Sequence, residues 1–183
     1  MNPFIVFEGL SATGKTTLAR AVAHEMGATF YKTPPRKFET VRHFIDLRAN
    51  SLARFLFYLS GVCQASDEIR KRLIKHPVVC DRYVLTTFCF HEAIGVHTRR
   101  FWGTVASGIV IPDFTFLVTC DEEERLRRLA KRGLDCNDLR ERGAGIERRF
   151  LKSYREYGVI EIDSSGTTRE ALENVMRRLR RPH

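Results

Sequence analysis

The sequence predicts an α/β fold: a parallel sheet with helices on both faces. Two observations carry that prediction. Five short apolar runs, at 4–7, 28–31, 78–81, 114–118 and 159–162, alternate with helical patterns, and strands that alternate with helices pair in parallel. The first run leads through a glycine-bearing turn, 9–14, directly into an amphipathic helix. That strand–turn–helix order puts a ligand crevice at the carboxyl end of the strands. At 183 residues, with no internal repeat and no linker long enough to divide it, the chain is read as one domain, 1–183.

The elements follow in order. A helix is expected from Thr16 to about Met26, then the second strand at 28–31. The prolines at 34 and 35 break regular structure, since neither can join a helix interior or a ladder. Helical patterns cover about 38–47 and 51–75, with Gly61 expected to weaken or bend the second. Pro77 ends it. The strand 78–81 closes on an acid, and helices are expected at 83–94 and 99–109. Pro112 opens the fourth strand. Asp121 is the expected cap of a charged helix running to about Arg132, with Glu122, Glu123 and Glu124 near its positive end. The segment 133–145 is polar, charge-dense and bounded by glycines, which suggests a mobile loop. A helix over 146–157, the last strand and a final helix to about Arg180 complete the chain.

Composition narrows the classes. The net charge of +9 favours anionic partners, and nucleotides fit as well as nucleic acid. No interleaved basic and aromatic strand pattern is present, which argues against a nucleic-acid module. The most apolar later stretch, 55–62, is too short to cross a bilayer. No basic n-region with a cleavage site precedes the first strand. The five cysteines form no C-x-x-C pair, and Cys80 and Cys120 sit in apolar runs. Buried reduced thiols in a cytoplasmic protein are the expectation.

The chemistry concentrates in the first turn. Gly9, Gly14, Lys15 and Thr16 satisfy G-x-x-x-x-G-K-[ST] at every fixed position. Backbone N–H groups of Ser11, Ala12, Thr13, Gly14, Lys15, Thr16 and Thr17 would form an anion nest at a helix N-terminus. Lys15 would reach the β- and γ-phosphates of ATP, and the Thr16 hydroxyl would ligate Mg²⁺. Asp81 would hold Mg²⁺ through water or position an acceptor; the bland alternative is a strand-end cap. Arg82 would bind phosphate with its fork of donors. Glu8 would serve as a general base or as a partner orienting Arg82 or the metal. Phe55, Phe57 and Tyr58 read mostly as core, with one available to stack on a base.

With these motifs in place, the chain resembles the thymidylate kinase family over nearly its whole length. Phe7-Glu-Gly-Leu-Ser-Ala-Thr-Gly-Lys-Thr-Thr17 looks like that family's opening loop, and Asp81-Arg82-Tyr83 like its Asp-Arg-Tyr motif. Thr86 stands where the family has serine, and Phe90-His91 where it has Tyr-Gln. Ile111-Pro-Asp-Phe-Thr-Phe-Leu117 and the helix from Glu124 to Gly133 also match. The resemblance implies a three-layer P-loop nucleotide kinase fold with strand order 2-3-1-4-5 and a mobile lid at about 133–145. It implies ATP-dependent phosphorylation of a nucleoside monophosphate, dTMP or a related pyrimidine nucleotide. Arg36 resembles the acceptor-contacting arginine after the second strand. With no arginine between Gly9 and Gly14, the lid is expected to supply transition-state charge, from Arg128, Arg132, Arg140 or Arg142; Arg132 and Arg140 flank it. A homodimer is a candidate assembly.

The departures concern the acceptor. The stretch 55–64 lacks the family's helix arginine, His91 replaces the glutamine that reads thymine, and Ser11 replaces a loop acid. Deoxynucleoside kinases share the scaffold and the Glu-Gly at the loop entrance. Their glutamate is a base toward the 5′-hydroxyl, so Glu8 keeps a nucleoside kinase, or a kinase for another small-molecule hydroxyl, as the rival. A regulator that binds nucleotide without catalysis is a further one.

Overall fold

The first apolar run becomes the middle strand of the sheet. The structure, a computed structural model, describes residues 2–134, 136–143 and 145–180. Strand β1 (Phe4–Glu8) is buried at every position. It pairs with β3 (Val78–Asp81) on one side and β4 (Phe114–Thr119) on the other. β2 (Thr29–Lys32) adds outside β3, and β5 (Ile160–Asp163) outside β4. All four pairings are parallel, and the order is 2-3-1-4-5.

Successive side chains of a strand point to opposite faces, and each face has its own core. Phe4 and Val6 face a cluster with Phe55, Phe88, Phe150 and Tyr154. These come from α3 (Ser51–Leu73), α4 (Val84–Ala93) and α8 (Ile146–Arg155). Ile5 and Phe7 face Leu18, Val22, Ala171 and Val175, from α1 (Lys15–Glu25) and α9 (Thr168–Leu179). The remaining helices are α2 (Glu39–Arg48), α5 (Trp102–Gly108), α6 (Glu122–Arg132) and α7 (Cys136–Glu141).

Several local expectations are corrected. Helix α3 runs through Gly61 without interruption. A β-carbon there would lie 3.3 Å from Cβ of Pro34, so the glycine admits the chain that follows β2. Asp121 holds the N-cap position of α6 but makes no side-chain cap; its own N–H donates to Ser165 Oγ at 2.8 Å. The expected helix 99–109 divides into a 3-10 turn, Thr98–Phe101, and α5. The expected loop 133–145 contains α7; its residues 135 and 144 lie outside the described residues. Cys80 is buried, but Cys120 is only partly so and Cys63 is exposed. No helix among the described residues is long and apolar enough to cross a membrane.

Candidate active site

The register of β1 and β3 sets the geometry: Phe7 pairs with Asp81, so the turn after Glu8 and the turn after Asp81 leave the sheet side by side. A cleft of about 650 Å³ opens at these carboxyl ends. Glycine is required at the first loop position. Gly9 has φ of +136°, and a β-carbon would stand 2.4 Å from the Val118 carbonyl oxygen of β4. Gly14 is left-handed at the start of α1. Ser11, Ala12, Gly14, Lys15, Thr16 and Thr17 line the cleft. Thr13 turns inward and its hydroxyl donates to the Leu10 carbonyl at 3.0 Å.

Lys15 folds back over the loop and donates to the Leu10 carbonyl. Burial, with the neighbouring Arg82 charge next, draws its pKa down to about 7 against the opposing pull of Asp81, Glu141 and Glu8. The Thr16 hydroxyl donates to Asp81 Oδ2 at 2.5 Å. One hydroxyl and one carboxylate, adjacent and beside a phosphate-binding loop, fit Mg²⁺, which takes few protein oxygens and completes its shell with water and substrate phosphate.

Arg82 sits at positive φ, 65°, a conformation few side chains adopt, and its N–H donates to the Phe7 carbonyl at 2.9 Å. That turn lays the guanidinium over the loop. Nη1 donates to the Gly9 carbonyl at 3.1 Å and to Thr86 Oγ1 at 3.3 Å, and Nη2 to Ser11 Oγ at 3.4 Å. Glu8 is fully buried and accepts from the Tyr83 N–H at 3.0 Å and from the Thr86 hydroxyl. Tyr154 OH stands 3.4 Å from the same carboxylate and 2.9 Å from Thr86 Oγ1. Burial raises the Glu8 pKa, opposed by the Thr86 bond and the Arg82 charge. Glu8 is absent from the described cleft lining; it holds Thr86, which in turn accepts from Arg82.

Sequence reasoning missed Glu141, at the end of α7. Its carboxylate is buried, accepts from the Ser11 N–H at 2.7 Å and lies 3.6 Å from Arg82 Nη2. Its sequence signal, a carboxylate between Arg140 and Arg142, is too weak to find it. Arg128, one of four lid candidates, lines the cleft and donates to the Ser164 carbonyl at 2.8 Å and to Glu124 at 2.7 Å. Arg132 also lines the cleft and pairs with Asp138 at 2.5 Å. Arg140 does not: it donates to the Asp46 carbonyl of α2 and to Asn137 at 3.3 Å.

His91 lines the cleft with Tyr58, Arg42, Thr87 and Phe90. Tyr58 OH donates to Asp46 at 2.8 Å and accepts from Arg42 Nε at 3.1 Å. Phe57, its neighbour on α3, packs on Phe38 and Tyr58 instead. Arg36 is exposed on the 3-10 turn Arg36–Phe38, outside the cleft lining.

The sequence model of the family described as thymidylate kinase matches residues 7–175. The chain belongs to the thymidylate kinase family. A probable thymidylate kinase of Methanocaldococcus jannaschii is 27% identical over 178 residues, covering 95% of this chain and 92% of that one. The structure of thymidylate kinase from Candida albicans superposes with a TM-score of 0.78 at 18% identity, over 97% of this chain and 91% of that one. Deoxyadenosine kinase from M. mycoides, solved with bound dATP, gives 0.75 at 16% identity, over 97% of this chain and all of that one. At those identities the structural likeness is one of fold. Thymidylate kinase family membership makes the chain a nucleotide kinase, a transferase that draws its phosphoryl group from ATP.

Proposed function

We propose that the chain transfers the γ-phosphoryl group of ATP to a nucleoside monophosphate, dTMP or a related pyrimidine nucleotide. The observation that carries this reading is the place of Arg82. Its guanidinium is anchored over the phosphate loop by the Gly9 carbonyl and Thr86, in the same cleft that Tyr58 and His91 line. A desolvated monophosphate needs such a fork of donors. A neutral hydroxyl instead benefits from a base within hydrogen-bond reach, and Glu8 is enclosed by Tyr83, Thr86 and Tyr154.

Phosphoryl transfer is mostly positioning and electrostatics. An acceptor phosphate oxygen attacks the γ-phosphorus in line, the bond to the β–γ bridging oxygen breaks, and ADP leaves with that electron pair. Lys15 and the loop N–H groups hold the β- and γ-phosphates. Arg82 bridges acceptor and γ-phosphate, and Arg132 adds charge from the lid side. Thr16 and Asp81 would hold Mg²⁺, which would supply positive charge to neutralise the transferring phosphoryl group. The lid 133–145 would close over nucleotide and limit wasteful hydrolysis. The same reading has one kinase domain working in the cytoplasm. It includes a homodimer, supported by Val41, Phe44, Leu47, Leu52 and Leu56 exposed on α2 and α3.

ADP release with ATP, Mg²⁺ and a panel of acceptors tests the reading. dTMP or a related pyrimidine monophosphate should turn over faster than its nucleoside. Robust turnover of the nucleoside with none of any monophosphate would overturn it.

A further inference from the structure

Helix α7 brings a carboxylate into the phosphate loop. Glu141 lines the cleft and is 5% exposed. Its Oε2 accepts from the Ser11 N–H at 2.7 Å, and its Oε1 lies 3.6 Å from Arg82 Nη2. Contacts away from the loop set the position of this helix. Asn137 donates to Asp46 Oδ2 at 3.2 Å, Arg140 donates to the Asp46 carbonyl, and Asp138 pairs with Arg132 at 2.5 Å. At Arg82, burial works against the charge, and Glu141 leads the carboxylates that sustain it, ahead of Asp81 and Glu8. A backbone N–H and a guanidinium are the donors that grip a phosphate oxygen. A carboxylate bonded to one and paired with the other stands in the place of that oxygen.

We propose that Glu141 is an internal anion that occupies the phosphate site of the empty protein, and that the ATP phosphates displace it in order to bind. This rests on the kinase reading above, which gives a loop N–H and Arg82 to phosphate. A carboxylate and a phosphate oxygen cannot both take the same donors at full strength, and at contact distance their like charges repel. Until nucleotide arrives, the carboxylate supplies the counter-charge that enclosed cations need. The exchange favours ATP because its phosphates also gain Lys15 and the rest of the loop. Among the described residues, Ser11 is the loop residue whose N–H donates to Glu141. Removing the carboxylate therefore removes a competitor, and ATP should bind more tightly without it.

The test is calorimetry of ATP with Mg²⁺, and of adenosine, on the full chain and two variants. In Glu141→Gln the Kd for ATP should fall at least about tenfold. Adenosine, which carries no phosphate, should bind both proteins equally. Glu141→Asp keeps the charge but draws it back from Ser11 by one methylene, and its Kd for ATP should fall at least about threefold. An unchanged or higher Kd for ATP in folded Glu141→Gln overturns the proposal, and so does an equal gain for adenosine. Wild-type affinity in Glu141→Asp beside a gain in Glu141→Gln also overturns it, because the gain is then one of overall charge rather than of the contact. In the wild-type protein, pyrophosphate should speed amide hydrogen exchange across 136–143, since it fills the phosphate site and offers no nucleoside for the lid to close over. Unchanged or slower exchange at saturating pyrophosphate overturns the proposal whether or not the variants fold. If Glu141→Gln binds ATP more tightly but no monophosphate is phosphorylated, the proposal stands and the acceptor reading fails by itself.

Discussion

Lys15 is a buried ammonium facing a second positive charge, Arg82. Its folded pKa of about 7 lies below the ordinary lysine value of 10.5. The sign follows: below pH 7 the folded protein carries the full cost of the buried charge, and that cost is relieved as pH rises toward 10.5. Donor phosphates reverse the balance by favouring the charged form. At about pH 8 the free lysine is mostly neutral, so ATP binding should take up close to one proton; at about pH 6 it should take up almost none. Calorimetry of ATP binding in buffers of different ionisation enthalpy measures this. Lys15→Ala should abolish the uptake and slow turnover about a hundredfold or more, while leaving the fold intact. Near-normal turnover in a folded Lys15→Ala protein would remove the lysine from the chemistry.

At the scale of elements, the phosphate loop and the lid segment behave differently. The loop is tied to β4 by close approach at Gly9. Gly9→Ala would drive a β-carbon into the Val118 carbonyl and hold alanine at φ of +136°. Such strain costs on the order of 1–3 kcal/mol, so the melting temperature should fall and ATP affinity should fall with it. Unchanged ATP affinity in the Gly9→Ala variant would show that the loop adapts. Helix α7 is instead held by polar contacts to α2, from Asn137 and Arg140 to Asp46. Arg140→Ala should increase protease cleavage across 133–145 in the absence of nucleotide. Arg132→Ala, in the cleft lining, should lower turnover more than ATP affinity. If both substitutions leave turnover unchanged, the transition-state charge comes from another arginine. Legibility in the sequence follows the same division. The loop is readable because its residues act within one turn, where spacing alone sets which N–H groups converge. Helix α7 reads as loop because it is six residues long and its Leu139 is exposed. No apolar stripe marks it, and its support comes from Asp46, far earlier in the chain. Glu141 is hidden in the sequence for the same reason: its importance lies in meeting Ser11 and Arg82, which only the folded chain brings together.

At the scale of the whole molecule, the question is which acceptor the fold is built to receive, and Glu8 decides it. The net charge of +9 does not, because it favours capture of ATP whichever acceptor follows. The sheet joins residues from distant parts of the chain around Glu8: Tyr83 and Thr86 after β3, and Tyr154 on α8. All three are hydrogen-bond donors to its carboxylate. A base for a substrate hydroxyl must reach the cleft, whereas this carboxylate is enclosed and supports Arg82 through Thr86. Glu8→Gln is the discriminating change. Glutamine has one oxygen, so its amide would face a donor, and an unsatisfied buried group costs about 1–3 kcal/mol. The melting temperature should therefore drop, and turnover on dTMP should fall by about tenfold as Arg82 loses its fixed support. Because the attacking oxygen of a monophosphate is already largely ionised, the shape of the pH–rate profile should not change. A base role predicts something else: wild-type turnover of thymidine, its near-complete loss in Glu8→Gln, and loss of the acidic limb of the pH profile. Measuring both acceptors with both proteins across pH separates the two. If thymidine is the faster substrate and only its reaction depends on Glu8, then the chain is a hydroxyl kinase on this scaffold.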